Sequence, residues 1–209
     1  ITAELLRAQG YTVHLGGNIG TPLFDRIADI RPDDFAVLEL SSFQLHSMHC
    51  APDVAIITNI SPNHLDVHPD LEDYVSAKCS IYRGQRPDGV LVLNAKDAHT
   101  PRFAAEAPGS VRYFSSVGPV GNGVYCSNGV IYRAHGGKAE KLIDVSDIRI
   151  PGAHNVENYM AAFAATDGLV GQAACVQVAR SFAGVPHRME RIRELNGITF
   201  INDSIASSP

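Results

Sequence analysis

The residues best suited to chemistry in this chain fall just after short apolar runs. Glu39 directly follows Phe35-Ala36-Val37-Leu38 and opens the run Glu39-Leu40-Ser41-Ser42-Phe43-Gln44-Leu45. An acid at that point is either a solvated strand end or a ligand. A second group, Thr58-Asn59-Ile60-Ser61-Pro62-Asn63-His64-Leu65-Asp66, follows the run Val54-Ala55-Ile56-Ile57. His64 and Asp66 on a turn, with an acid such as Glu39 nearby, make a cation site. Oxygen-rich ligands with a single imidazole favour magnesium or manganese over zinc. A lone histidine on such a turn is otherwise a surface or capping residue.

Lys78 is the most informative single residue. The pattern around it predicts a helix over 70–84 with Leu71, Tyr74, Val75, Ile81 and Tyr82 on one apolar stripe. Lys78 stands four residues after Tyr74, three after Val75 and four before Tyr82, so it projects from that stripe. Desolvation lowers a lysine pKa and favours the neutral, nucleophilic amine. Such an amine acts as a base, or takes up carbon dioxide as a carbamate that ligates a metal through oxygen. The alternative is a side chain that snorkels past its neighbours to water. Further on, Gly152-Ala153-His154-Asn155-Val156-Glu157-Asn158 opens a helix. Asn155 and Asn158 share a face, and an amide pairs with the N6/N7 edge of adenine. Capping by Asn155 is the competing reading, and it leaves Asn158 unexplained. Pro186-His187-Arg188 marks a joint where a cation reaches phosphate or ribose, and Asn202-Asp203-Ser204 closes a strand.

These residues need a scaffold that gathers strand ends. Strands are expected at 11–15, 35–38, 54–57 and 90–93, with helices at about 21–29, 70–84 and 97–106 among them. That alternation predicts a mostly parallel α/β sheet flanked by helices. Its carboxyl edge, where ligands bind in open sheets, collects Gly16-Gly17-Asn18, Glu39, Thr58-Asn59 and Asn94. From 111 to 150 the multiplied glycines predict a small antiparallel meander. Helices follow at about 154–168 and 172–183, then a linker at 184–188 and a hairpin over 189–202 that turns at Asn196-Gly197. The domain reading is therefore 1–185 for the main unit and 186–209 for a linker with the start of a further domain. Ile1 to Gln9 reads as a helix body ended by Gly10 whose own start signals are missing.

Composition narrows the function classes. With 17 basic and 22 acidic residues and no basic stripe, nucleic acid is not the expected partner. No apolar run is long enough to insert in a membrane. Cys50, Cys79, Cys126 and Cys175 form no C-x-x-C pair, which suits a reducing cytoplasm and small buried hydrophobes.

Taken in order, Gly17-Asn18-Ile19-Gly20, Glu39 to Leu45, Asn59 to Asp66, Ala77-Lys78, Gly152 to Asn158, Pro186-His187-Arg188 and Asn202-Asp203-Ser204 resemble the Mur ligase family. The E-L-S-S-F-Q-L run resembles the members that add D-glutamate. The resemblance implies ATP-dependent ligation through an acyl phosphate, with UDP-N-acetylmuramoyl-L-alanine and D-glutamate as substrates, in a cytoplasmic enzyme that is monomeric when complete. By position, Glu39 would hold a Mg2+ that bridges the ATP phosphates. His64 and a carbamylated Lys78 would hold a second one. Asn18 and Ser42 would line the phosphate and substrate region, Asn155 and Asn158 would bind adenine, and Arg188 and Asp203 would meet the nucleotide from the joint.

Some features depart from the family pattern. Its P-loop is expected just before Ile1, and its UDP-gripping domain and most of its carboxyl-terminal domain are not in this sequence. Position 205 is isoleucine where some members carry lysine, and Asn63 stands where many carry an acid. Two rival readings are a folylpolyglutamate synthase-like ligase, against which the Ser-Ser-Phe-Gln run argues, and a non-catalytic nucleotide-binding module. On the family reading, the chain as given is expected not to turn over ATP by itself.

Overall fold

The structure is a computed structural model and describes residues 1–18, 22–61 and 67–205. In chain order the elements are α1 (Thr2–Ala8), β1 (Val13–Gly17), a 3-10 turn (Phe24–Asp29), β2 (Phe35–Glu39), α2 (Ser42–Ser47), β3 (Val54–Ile57), α3 (Leu71–Arg83) and β4 (Val90–Asn94). There follow α4 (Thr100–Glu106), β5 (Ser110–Ser115), β6 (Gly123–Ser127), β7 (Val130–His135), β8 (Lys138–Asp144), a 3-10 turn (Val145–Asp147), α5 (Ala153–Ala165), α6 (Gln172–Ser181), β9 (Glu190–Leu195) and β10 (Ile198–Asn202).

The main sheet has six strands in the order β3-β4-β5-β6-β7-β8. Pairing is parallel from β3 to β6 and antiparallel from β6 to β8. The expected mostly parallel sheet with a small antiparallel meander is thus present. One boundary differs: residues 111–115, expected within the meander, belong to the parallel strand β5. β1 and β2 make a separate parallel pair. The helix expected over 21–29 is a 3-10 turn confined to Phe24–Asp29, and it buries no side chain.

Side-chain alternation explains why helices cover both faces. Ala55, Ile57, Leu91 and Leu93 point to one face, where they meet Tyr74, Val75, Cys79 and Tyr82 of α3 and Phe103 of α4. Val54, Ile56, Val90 and Val92 point to the other face, into a core built on α5 and α6. α5 is the centre of that core: Tyr159 to Ala165 are all buried. Each large apolar side chain so buried, Phe163 among them, contributes about 1.5–3 kcal/mol. Val13 of β1 and Phe35 and Val37 of β2 pack against the same core, so the two sheets share one apolar layer.

α3 starts at Asp70, whose side chain accepts a hydrogen bond from the Asp73 amide at 2.8 Å. Its apolar stripe is buried at Tyr74, Val75, Ala77, Cys79 and Tyr82, whereas Leu71, expected on that stripe, is exposed at the first turn. β9 and β10 form the expected hairpin, with Asn196 and Gly197 both at positive φ in the turn. The hairpin leaves Ile192, Leu195, Ile198, Phe200 and Ile201 exposed.

Candidate active site

Four strand ends define the candidate site. β1 and β2 run in register so that Gly17 lies opposite Glu39. Gly17 has a φ of +103°, and a Cβ there would sit 2.1 Å from the Glu39 carbonyl oxygen. Only glycine permits this approach. The next residue, Asn18, donates its backbone N–H to the same carbonyl at 2.7 Å. Asn18 and Glu39 are therefore neighbours, both exposed. Among the described residues no hydrogen bond or ion pair engages the Glu39 carboxylate. At the next strand ends, the buried Asn94 donates its amide to the Thr58 carbonyl at 3.1 Å and ties β4 to β3.

α2 begins three residues after Glu39. Ser41 caps it and exchanges reciprocal bonds with Gln44, a capping box that fixes how the chain leaves β2. Ser42 is the first helical residue. It is 2% exposed, and its hydroxyl is turned inward to His68.

Lys78 lies half-buried on α3, as expected from its place on the stripe. Its ammonium sits 5.5 Å from the centroid of the Tyr74 ring. Burial pulls its pKa below the ordinary lysine value, and the negative charge of Glu39 opposes that shift in part. Of the residues expected to act together, Lys78 thus lies within range of the Glu39 charge. His64, the third member of the expected metal set, lies outside the described residues, as do Ile19, Gly20 and Asp66.

Asn155 and Asn158 share the first turns of α5. Gly152, not Asn155, is the capping residue. The Asn155 amide instead donates to the Pro151 carbonyl at 2.6 Å, and Asn158 donates to Asn155 Oδ1 at 3.5 Å. Asn158 is exposed, and among the described residues no hydrogen bond engages its amide oxygen. Between them, Glu157 accepts from Lys96 and from Ser116 Oγ, the latter at 2.6 Å, so α5 is latched to the segments after β4 and β5. At the joint, Asp203 Oδ1 accepts the Met189 N–H at 2.9 Å, next to the exposed Arg188. Asn202 and His187 lie 2.8 Å apart. Arg188 and Asp203 are therefore brought together from opposite ends of the hairpin.

The sequence pattern passed over His68 and Asp73. His68 is buried, 2.6 Å from Asp73 and 3.0 Å from Ser42. The available signal was a histidine four positions after His64 in the sequence.

Comparison with known proteins places the chain in a family. The sequence profile described as the Mur ligase middle domain matches residues 1–166. The chain belongs to the Mur ligase family. It is 49% identical over 206 residues to a UDP-N-acetylmuramoylalanine–D-glutamate ligase of Acetivibrio thermocellus, covering 99% of this chain and 44% of that protein. It is 48% identical over 209 residues to the Clostridium beijerinckii protein of the same name, covering 100% of this chain and 45% of that one. The chain thus spans less than half the length of the curated relatives it matches. Among solved structures, MurF of Acinetobacter baumannii superposes with a TM-score of 0.71 at 22% identity, over 97% of this chain and 47% of that one. MurF of Thermotoga maritima, solved in complex with ADP, superposes with a TM-score of 0.64 at 21% identity, over 97% and 50%. At that identity the superpositions establish the Mur ligase fold. No helix among the described residues is long and apolar enough to cross a membrane.

Proposed function

We propose that this chain is the nucleotide-handling middle part of an ATP-dependent ligase that joins D-glutamate to UDP-N-acetylmuramoyl-L-alanine in peptidoglycan precursor synthesis. The observation that carries the reading is a sequence nearly half identical to D-glutamate ligases over its whole length, with Glu39 at the end of β2 and a half-buried Lys78 whose pKa its charge helps to set. In this reading the L-alanyl carboxylate takes the γ-phosphoryl group of ATP and ADP leaves. The D-glutamate amine then attacks the acyl phosphate, and inorganic phosphate departs.

The residues fit hard cations. Glu39 presents an open carboxylate. Lys78, with its pKa lowered by burial, is biased toward the uncharged amine that carbon dioxide requires, and its carbamate would supply an oxygen ligand. Glu39 would hold one magnesium; His64 and the Lys78 carbamate would hold a second. Magnesium, when bound, offsets charge on the transferring phosphoryl group. Asn18 and Ser42 would line the phosphate and substrate region, Ser42 from a buried position at the start of α2. Asn155 and Asn158 would hold adenine, with Arg188 and Asp203 reaching the nucleotide from the joint. Residues 1–185 form the central domain in this reading, and 186–209 begin the next one. The phosphate-gripping loop and the substrate-gripping domains belong to the remaining half of the enzyme, which works as a monomer in the cytoplasm.

The test is phosphate release by the complete enzyme with ATP, magnesium, UDP-N-acetylmuramoyl-L-alanine and D-glutamate, run beside dihydropteroate or folate with glutamate. Turnover with the first set alone is expected. Turnover only with the pterin substrates, or ATP binding without turnover, would sink the proposal.

A further inference from the structure

Behind the Glu39–Lys78 edge, three polar side chains form an unbroken chain. Asp73 Oδ2 lies 2.6 Å from His68 Nδ1, and His68 Nε2 lies 3.0 Å from Ser42 Oγ. His68 is 3% exposed and Ser42 2%. The other Asp73 oxygen lies 3.2 Å from Nε2 of the exposed His46. Phe43 stacks on the His68 ring at 5.5 Å, and Tyr74 meets that ring edge-on at 5.4 Å. Tyr74 is also the ring over which the Lys78 ammonium sits.

The connectivity is that of a hydroxyl–imidazole–carboxylate triad. Burial argues against nucleophilic use, because no carbonyl carbon can approach a hydroxyl closed off from solvent. His46, His68 and Asp73 also lie close enough together to suggest a metal site. Both ring nitrogens of His68 are already engaged by Asp73 and Ser42, so it has no free lone pair to give a cation. What remains is a device that sets geometry. The His68 hydrogen bond is the main reason the Asp73 carboxyl is held below the usual carboxylate range. An ionised Asp73 accepts from Nδ1–H. With Nδ1–H donating to Asp73, Nε2 is left to accept a hydrogen bond from the Ser42 O–H, which fixes the direction of every bond in the chain.

We propose that His68 and Asp73 are positioning residues that lock the Glu39-bearing turn to the Lys78-bearing helix. The proposal rests on the roles given to Glu39 and Lys78 above. Ser42 stands three residues after Glu39 at the start of α2, and Asp73 is the third residue of α3. His68 joins the two through hydrogen bonds and, through Tyr74, also sets the surface under Lys78. Without the imidazole, α2 loses the buried tie to α3 at Ser42 and keeps the exposed contact of His46 with Asp73, so Glu39, three residues before Ser42, is free to shift against Lys78. A misplacement of about 1 Å at a reacting centre costs on the order of 100-fold in rate.

The experiment uses the complete enzyme with His68→Ala, His68→Gln, Ser42→Ala and the His68→Ala/Ser42→Ala double variant. It reads kcat, the KM for ATP and melting temperature, together with long-range 1H–15N spectra of His68 in the wild type. His68 should carry its proton on Nδ1. His68→Ala should lower kcat about 100-fold and leave the KM for ATP within about threefold, because a displaced reacting group costs rate rather than nucleotide binding. His68→Gln, whose amide can still meet Ser42, should recover about tenfold of that loss. Ser42→Ala should add nothing in the His68→Ala background, since the two act as one unit. A wild-type kcat in His68→Ala, equal losses in the Ala and Gln variants, or a neutral ring protonated on Nε2 overturns the proposal. If His68→Ala does not fold, the Gln variant and the tautomer decide. Failure of the underlying reading is visible separately, as a wild-type enzyme that does not ligate D-glutamate.

Discussion

Replacing Gly17 with alanine should cripple the proposed phosphoryl-transfer centre by moving one carbonyl. The new Cβ would stand 2.1 Å from the Glu39 carbonyl oxygen and 3.0 Å from the Glu39 carbonyl carbon and nitrogen. Ordinary contact begins at 3.4 Å, so the ends of β1 and β2 must part by about 1.3 Å. The struck atoms are backbone and cannot rotate away. The shift also strains the 2.7 Å bond from the Asn18 amide to the same carbonyl. Two penalties follow. Holding a non-glycine residue at φ +103° costs about 1–3 kcal/mol, and each kcal/mol lowers the melting temperature by roughly 2–4 °C in a chain of this size. Displacing Glu39 by more than 1 Å should cut kcat about 100-fold. Gly10 supplies the control: it has the same φ of +103°, but its Cβ would meet nothing within 4 Å. Gly10→Ala should therefore lower the melting temperature and leave turnover intact. Phosphate release at saturating substrates and thermal melts of both variants decide the matter. Equal turnover in the two variants would refute the claim that the Gly17–Glu39 approach sets the site.

Lys78→Ala in the complete enzyme should lose at least about 1,000-fold in kcat through loss of a charge-stabilising ligand, and added acetate should partly restore it by supplying a carboxylate; Lys78→Arg, always cationic, should not respond to acetate. Asn158→Ala should weaken adenine-nucleotide binding by about tenfold or more without changing the melting temperature, whereas Asn155→Ala should lower both because Asn155 also holds the Pro151 carbonyl; direct titration with ADP measures each. The Asp34 carboxyl is held below the usual carboxylate range, first by the Arg31 amide and then by the buried His14. A depressed carboxyl stabilises the fold above its unfolded pKa and loses that contribution as pH falls through its folded pKa. Asp34→Asn should therefore melt earlier than the wild type at neutral pH, and the two should converge in acid; an unchanged gap at low pH would contradict this.

The parts of the fold legible in the sequence are those set by local pattern. The β-branched runs at 54–57 and 90–93 gave β3 and β4, and the period of α3 placed Lys78 on its buried side. What was not legible depends on distant partners. The glycines that follow β5 give residues 111–115 the texture of the meander. The parallel pairing of β5 with β4 is set by register across about 20 residues of chain. The turn at Phe24–Asp29 has the composition of a helix, but Phe24 and Ile27 find no core to cover. α2 is six residues long, too short for a period, and its one local signal is the Ser41–Gln44 capping box inside a run that also read as a motif. Asp73 stands in the first turn of α3, where an acid is ordinary and where its amide is capped by Asp70. Its second role depends on His68, whose other partner, Ser42, is 26 positions away.

α3 shows how one element serves both fold and site. The face toward the sheet is closed by Tyr74, Val75, Cys79 and Tyr82 against Ala55, Ile57, Leu91 and Leu93. A lysine fully inside that face could not meet a ligand, and one on the opposite face would stay hydrated and cationic. Lys78 sits at the boundary, where Tyr74, one helical turn earlier, supplies a ring for its ammonium and removes water from one side. The helix is fixed at that height by its first turn, where Asp70 caps it and Asp73 ties it through His68 to α2. The depth of Lys78, and with it the balance between desolvation and the charge of Glu39, is therefore set about two turns away, at the residues whose own bonds run toward the start of α2.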